Sequence, residues 1–158
     1  EQGRLVGSLW STRDAAQQTA EGRIDIATST GSAIRSGHQS PPVSGCSNLF
    51  LTSSQKGRSY EEMLEMIEDG YIVNSVMGAH TANPTSGDFS VTTSSILRVE
   101  GGEVIGAVKQ AGLSGNLANA LKDGVTLGDE VRPQGSYSSG SMYLPNVLLR
   151  NGLRVNPA

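Results

Sequence analysis

Twenty glycines spread along 158 residues set the main limit on what this chain can fold into. Glycine weakens helix interiors and supplies the positive φ that tight turns need. A chain punctuated this often favours short strands joined by turns. Hydrophobic residues make up 36% and aromatic residues 4%, so the core is lean. A chain of this length still buries about 68–70% of the surface its unfolded form exposes, enough for a single domain over residues 1–158 without disulfides or structural metal.

Local pattern places the elements. Arg4-Leu5-Val6-Gly7-Ser8-Leu9-Trp10 alternates and predicts a first strand. Ser11, three residues ahead of Asp14, opens a helix through Thr19, with Gly22 closing it. Residues 28–45, with the pair Pro41-Pro42, read as a long loop, and loops of that length are usually functional or disordered. Asn48-Leu49-Phe50-Leu51-Thr52 resumes as a strand. The clearest helix covers residues 59–69: Ser59 and Glu62 form a capping box, Met63, Leu64, Met66 and Ile67 an apolar face, and Gly70 sits at C′. Tyr71-Ile72-Val73 is a strand leading into Val76-Met77-Gly78, and residues 89–99 form a long one. Glu100-Gly101-Gly102-Glu103 joins it to residues 104–108 as a hairpin. Asn116 precedes a helix over 117–122 that Gly124 ends, Val125-Thr126-Leu127 is extended, residues 134–141 read as a Gly/Ser loop, and residues 142–149 form a final strand before a turn at Asn151-Gly152. The expected class is α+β and β-rich, a mixed or antiparallel sheet with two short helices.

Charge narrows the partners. Twelve Lys and Arg against fifteen Asp and Glu give a net charge of −3, without the basic stripe that a phosphate backbone requires. No apolar run approaches the roughly 20 residues that span a bilayer, and the first residues carry no signal-peptide pattern. Neither nucleic acid nor membrane is expected as a partner. The single cysteine, Cys46, fits a reducing, cytoplasmic compartment. A start at Glu1 without Met suggests a truncated or processed N-terminus.

Several spaced motifs resemble one family. Asp69-Gly70-Tyr71-Ile72-Val73-Asn74-Ser75-Val76-Met77-Gly78 followed by Asn83-Pro84-Thr85-Ser86-Gly87-Asp88-Phe89-Ser90 resembles the signature of the TldD/PmbA family, a strand and Gly-containing loop ending in N-x-x-T/S-G-D-F/Y-S. Val99-Glu100-Gly101-Gly102-Glu103-Val104 is similar to its V/I-E-N-G-E-I hairpin, Gly115-Asn116-Leu117 with Leu121 to its A-G-N-L helix, and Val125-Thr126-Leu127-Gly128-Asp129-Glu130 to its V-x-x-G-N-D segment. Gly3-Arg4-Leu5-Val6-Gly7 and Ser11-Thr12-Arg13-Asp14-Ala15 look like the start of the C-terminal domain.

The resemblance implies the C-terminal domain of a protease-associated protein. Active members are zinc metallopeptidases that cut peptides inside a paired, barrel-like assembly of TldD and TldE (PmbA) subunits. Their chemistry needs two His one helical turn apart, a Glu between them to activate water, and a Cys further on. Here no H-E-x-x-x-H occurs, and Gly135-Ser136-Tyr137-Ser138-Ser139-Gly140-Ser141 stands where the Cys is expected. The resemblance therefore sides with the non-catalytic TldE/PmbA branch, with no zinc or other cofactor of its own, no catalytic residue, and a TldD-like subunit or a second copy as partner. The alternatives are a self-assembling β-rich module without peptide chemistry, and part of a zinc peptidase whose ligands lie outside this chain.

Several individual residues fit simpler roles. His38, Cys46 and His80 lack the short paired spacings of zinc ligands. Asp88 follows Gly87, where an Asp more often bonds turn amides than acts as a general base. In the family, the loop from Met77 to Asp88 borders the peptide-cleaving cavity. Met77, Gly78, His80, Asn83, Thr85, Gly87 and Asp88 are thus the candidate peptide-binding residues, with unfolded peptides as a possible ligand, the simpler reading being a corner that holds two strands. Residues 134–141 could line the same cavity or be a solvated linker.

Overall fold

The computed structural model describes residues 6–53, 55–122, 124–137 and 140–157. In chain order its elements are α1 (Thr12–Ala20), β1 (Ala33–Ile34), β2 (Val43–Ser44), β3 (Asn48–Phe50), α2 (Tyr60–Glu65), β4 (Asp69–Met77), β5 (Asp88–Glu100), β6 (Glu103–Val108), β7 (Ala111–Asn116), α3 (Leu117–Lys122), β8 (Val125–Tyr137), β9 (Gly140–Leu149) and β10 (Leu153–Pro157), with a 3-10 turn over Ala79–Thr81. The class is β-rich α+β, with three α-helices among the described residues. None of them is long and apolar enough to cross a membrane.

The chain divides into two compact units, Glu1–Gln55 with Val131–Pro145 and Lys56–Glu130 with Asn146–Ala158. In the first, Ser11 caps α1 by accepting from the Asp14 amide at 3.1 Å. The Asp14 carboxylate in turn accepts from the hydroxyls of Ser11 and Ser44. The first of the strands expected from the sequence does not form over residues 6–10: Val6 and Leu9 are exposed, and Trp10 exchanges hydrogen bonds with Thr30 instead. Residues 1–5 lie outside the described part. Alternation needs a neighbouring strand to become a ladder, and among the described residues none pairs with residues 6–10. The expected loop over 28–45 contains a short antiparallel ladder, Ala33 opposite Ser44 and Ile34 opposite Val43. β3 runs parallel to β9, where Phe50 stacks on Tyr143 with ring centroids 4.5 Å apart. The expected Gly/Ser loop over 134–141 is largely extended, because β8 runs to Tyr137 and β9 starts at Gly140; residues 138–139 lie outside the described part.

The second unit is built on β5. Thirteen residues long, it pairs with β4 along one edge. Along the other it pairs with β7 over Asp88 to Thr93 and with β6 over Ile96 to Glu100. β10 extends the sheet beyond β7, antiparallel. The core follows this strand: Val91, Thr93, Ile96 and Val99 are buried, with Ala111 and Ala120 beside them. Burial changes parity between Thr93 and Ile96, where the register with β4 slips.

Two expectations about α2 need correction. The capping box is present, Ser59 accepting from the Glu62 amide while Glu62 accepts from the Ser59 amide. The helix nevertheless ends at Glu65 rather than running to residue 69, and Gly70 lies inside β4 rather than at a C′ position. The Gly101-Gly102 turn of the β5–β6 hairpin donates its amides to the Glu68 and Ile67 carbonyls, which draws residues 67–68 away from the helical pattern. Met63 is buried, but Met66, past the helix end, is exposed.

Candidate functional site

The loop between β4 and β5 was the strongest candidate in the sequence, and its geometry is well defined. Asn83 Oδ1 accepts from the amides of Thr85 at 2.9 Å and Ser86 at 3.1 Å, and the Asn83 carbonyl accepts from Gly87 N–H at 2.9 Å. An Asn side chain that mimics a turn carbonyl in this way is a common turn device. Thr81 closes the preceding 3-10 turn, its amide and hydroxyl both donating to the Gly78 carbonyl.

Asn116, at the end of β7, holds the loop from the far side. Its Nδ2 donates to the Ser86 carbonyl and to Asp88 Oδ1, both at 2.8 Å, and its Oδ1 accepts from the Asn119 amide at 3.1 Å in the first turn of α3. Hydrogen bonding from Asn116 first, and from Ser86 second, holds the Asp88 carboxyl below the usual carboxylate range. A carboxylate stabilised this way is a poor proton acceptor, so the turn-forming role fits Asp88 better than a general base does.

Beside the loop lies an apolar hollow of about 310 Å³. Its floor is Val76, Phe89, Val91, Leu113 and Leu117, and its outer wall is Ala79, Ala82, Asn83, Pro84 and Gly87. Of the seven candidate residues, Asn83 and Gly87 line it. Met77, Gly78, His80, Thr85 and Asp88 do not, and Met77, His80, Thr85 and Asp88 are exposed. The sequence reading missed the apolar floor and Asn116. A second hollow, of about 430 Å³, lies between the apolar side of α2 and the sheet, lined among others by Met63, Leu64, Ile67 and Leu153. Leu113 lines both.

A family model described as the PmbA/TldA metallopeptidase C-terminal domain matches residues 1–154. The chain belongs to this family. An uncharacterized protein of Methanocaldococcus jannaschii is 29% identical over 122 residues, 77% of this chain, and the Metalloprotease PmbA of Escherichia coli O157:H7 is 30% identical over 92 residues, 58% of this chain. The crystal structure of TldE from Thermococcus kodakarensis is similar in fold to this chain, with a TM-score of 0.78 over 99% of this chain at 24% identity. The chain spans 27%, 20% and 32% of these three proteins respectively.

Zinc, the metal of the active family members, can be tested against the donors present. A catalytic zinc needs three protein ligands converging on one point. Among the described residues no three His, Cys, Asp or Glu side chains are grouped so as to hold a metal ion, and the PmbA/TldD pattern of paired His and a later Cys is missing from the sequence. The donors among the described residues do not fit the ion.

Proposed function

We propose that this chain is the C-terminal domain of a non-catalytic family subunit of the TldE/PmbA kind, which pairs with a zinc-bearing TldD-like subunit and helps to line a peptide-degrading chamber. The observation that carries the reading is the donor set: a chain of a metallopeptidase family among whose described residues no His, Cys, Asp or Glu side chains are grouped to hold a metal. The apolar hollow beside the β4–β5 loop supports a share in peptide handling, because extended peptides are held by backbone groups while pockets select alternate side chains. One cysteine, Cys46, exposed, supports a cytoplasmic setting.

The test is metal analysis, peptidase assay and light scattering on the chain, alone and mixed with a TldD-like subunit. The expected outcome is no stoichiometric zinc, no cleavage by the chain alone, and a complex that forms only with the partner. One tightly held zinc per chain, or cleavage without the partner, overturns the proposal. A second reading, self-association without peptide chemistry, rests on β6, whose Val104 and Ile105 are exposed and which pairs with β5 alone among the described strands. Exposed apolar edges are templates for pairing, and a homo-oligomer indifferent to the partner would favour that reading.

A further inference from the structure

Residues 78–87 are bracketed by two glycines in the left-handed region, Gly78 at φ 90° and Gly87 at φ 79°. A Cβ at Gly78 would meet nothing within 4 Å, so the space beside its Cα is open. Through Ala79, Ala82 and Pro84 the segment forms the outer wall of the apolar hollow, whose floor is built into β4, β5, β7 and α3. Most of its own hydrogen bonds are internal. Beyond the adjoining Asp88, the bonds that join it to other elements among the described residues end at two neighbours: Asn116 Nδ2 donates to the Ser86 carbonyl at 2.8 Å, and the Leu117 amide to the Gly87 carbonyl at 2.9 Å.

We propose that residues 78–87 are a hinged strap over the apolar hollow, held shut by the Asn116 side chain. Floor and wall differ in how they are fixed. The floor belongs mostly to paired strands, with Val91 buried and Phe89 and Leu113 half-buried, whereas the wall is a largely exposed segment with few attachments, the kind of region that opens locally at low free-energy cost. Opening uncovers Phe89, Val91 and Leu113 to an apolar group, and closing covers them. The inference does not depend on the proposed pairing with a TldD-like subunit.

Hydrogen exchange on the full chain, read at the Leu117 amide, which donates to the Gly87 carbonyl, and compared with Ile96 and Val99, tests it. Asn116→Asp keeps the oxygen that accepts from Asn119 but removes both donor hydrogens and faces Asp88 with a second carboxylate. Protection at Leu117 should fall roughly tenfold or more, as expected for losing a charge-assisted bond and a neutral one, while Ile96 and Val99 change little. Fluorescence of the apolar dye anilinonaphthalene sulfonate should rise as the hollow is uncovered. Adding Asp88→Asn to Asn116→Asp restores a donor opposite an acceptor and should recover part of the protection. Gly78→Ala, which strains the left-handed hinge without a clash, should give the same local loss from the other end. Unchanged protection at Leu117, an equal loss across β5, no dye response, or no recovery in the double variant overturns the strap.

Discussion

Arg98 Nη2 donates to Asp69 Oδ2 at 2.8 Å while Nη1 reaches Oδ1, so one guanidinium on β5 clamps the first residue of β4 with both of its arms. The same group pairs with Glu100 at 3.2 Å and lies 4.9 Å from the Tyr71 ring centroid. The hydrogen bond from Arg98 holds the Asp69 carboxyl below its ordinary value of 3.8, and Asp69 raises the guanidinium in return. A carboxyl lowered in the folded state contributes stability that is fully present above its unfolded value and is lost as pH falls through the lowered one.

The first prediction follows from that sign. Resistance of the parent chain to urea should fall as pH drops below about 4. Asp69→Asn should be the less stable protein near neutrality and lose less on acidification, so that the two curves converge. Parallel curves across the range would remove Asp69 from the account.

Ile96 is 2% exposed and Ile105 56% exposed, although they lie within a single hairpin. Ile96→Ala should cost about 2–5 kcal/mol, the usual range for emptying a packed site. Ile105→Ala should stay within about 0.5 kcal/mol, as surface changes generally do. Thermal or urea unfolding of the two variants distinguishes a core centred on β5 from one spread over both strands.

Gly152 has φ 82°, and a Cβ there would lie 2.5 Å from the Ala120 amide nitrogen. Gly152→Ala combines backbone strain with a clash against α3 and should cost more than about 1–3 kcal/mol. Gly22→Ala, at φ 67° with nothing within 4 Å, carries the strain alone and should cost less. Equal losses measured by calorimetry would mean that the approach of Gly152 to α3 is not tight.

Removing the α2 cap gives a fourth outcome. Ser59→Ala deletes the acceptor for the Glu62 amide and should destabilise the chain by about 1 kcal/mol, whereas Ser59→Asp keeps an acceptor there and should cost little. Circular dichroism at increasing temperature measures both.

These elements also show how far the sequence could be read. The β5–β6 hairpin is legible because β-branched alternation and a two-residue glycine turn agree. α3 is legible because Asn116 and Gly124 mark its ends. β7 is not: Ala111-Gly112-Leu113-Ser114-Gly115-Asn116 has little strand propensity of its own, and its extended form comes from β5 on one side and β10 on the other. The short Leu153–Pro157 strand, absent from the sequence reading, depends on β7 in the same way. The loop next to the hollow is visible in its Asn-Pro and Ser-Gly pairs. Its holder is not, because Asn116 comes opposite Asp88, 28 residues away, only through strand register.

The division of β5 between two neighbours bears on the order in which the molecule assembles. Pairing with β6 closes across two residues, whereas pairing with β7 joins Thr93 to Ala111 at its nearest point and Asp88 to Asn116 at its farthest. Short closures come first because they forfeit the least chain freedom. The hairpin end of β5 is therefore the expected seed of folding. The end that carries Asp88 matures later, once β7 has arrived alongside it, so the turn that Asn116 holds is completed only after the hairpin end has formed.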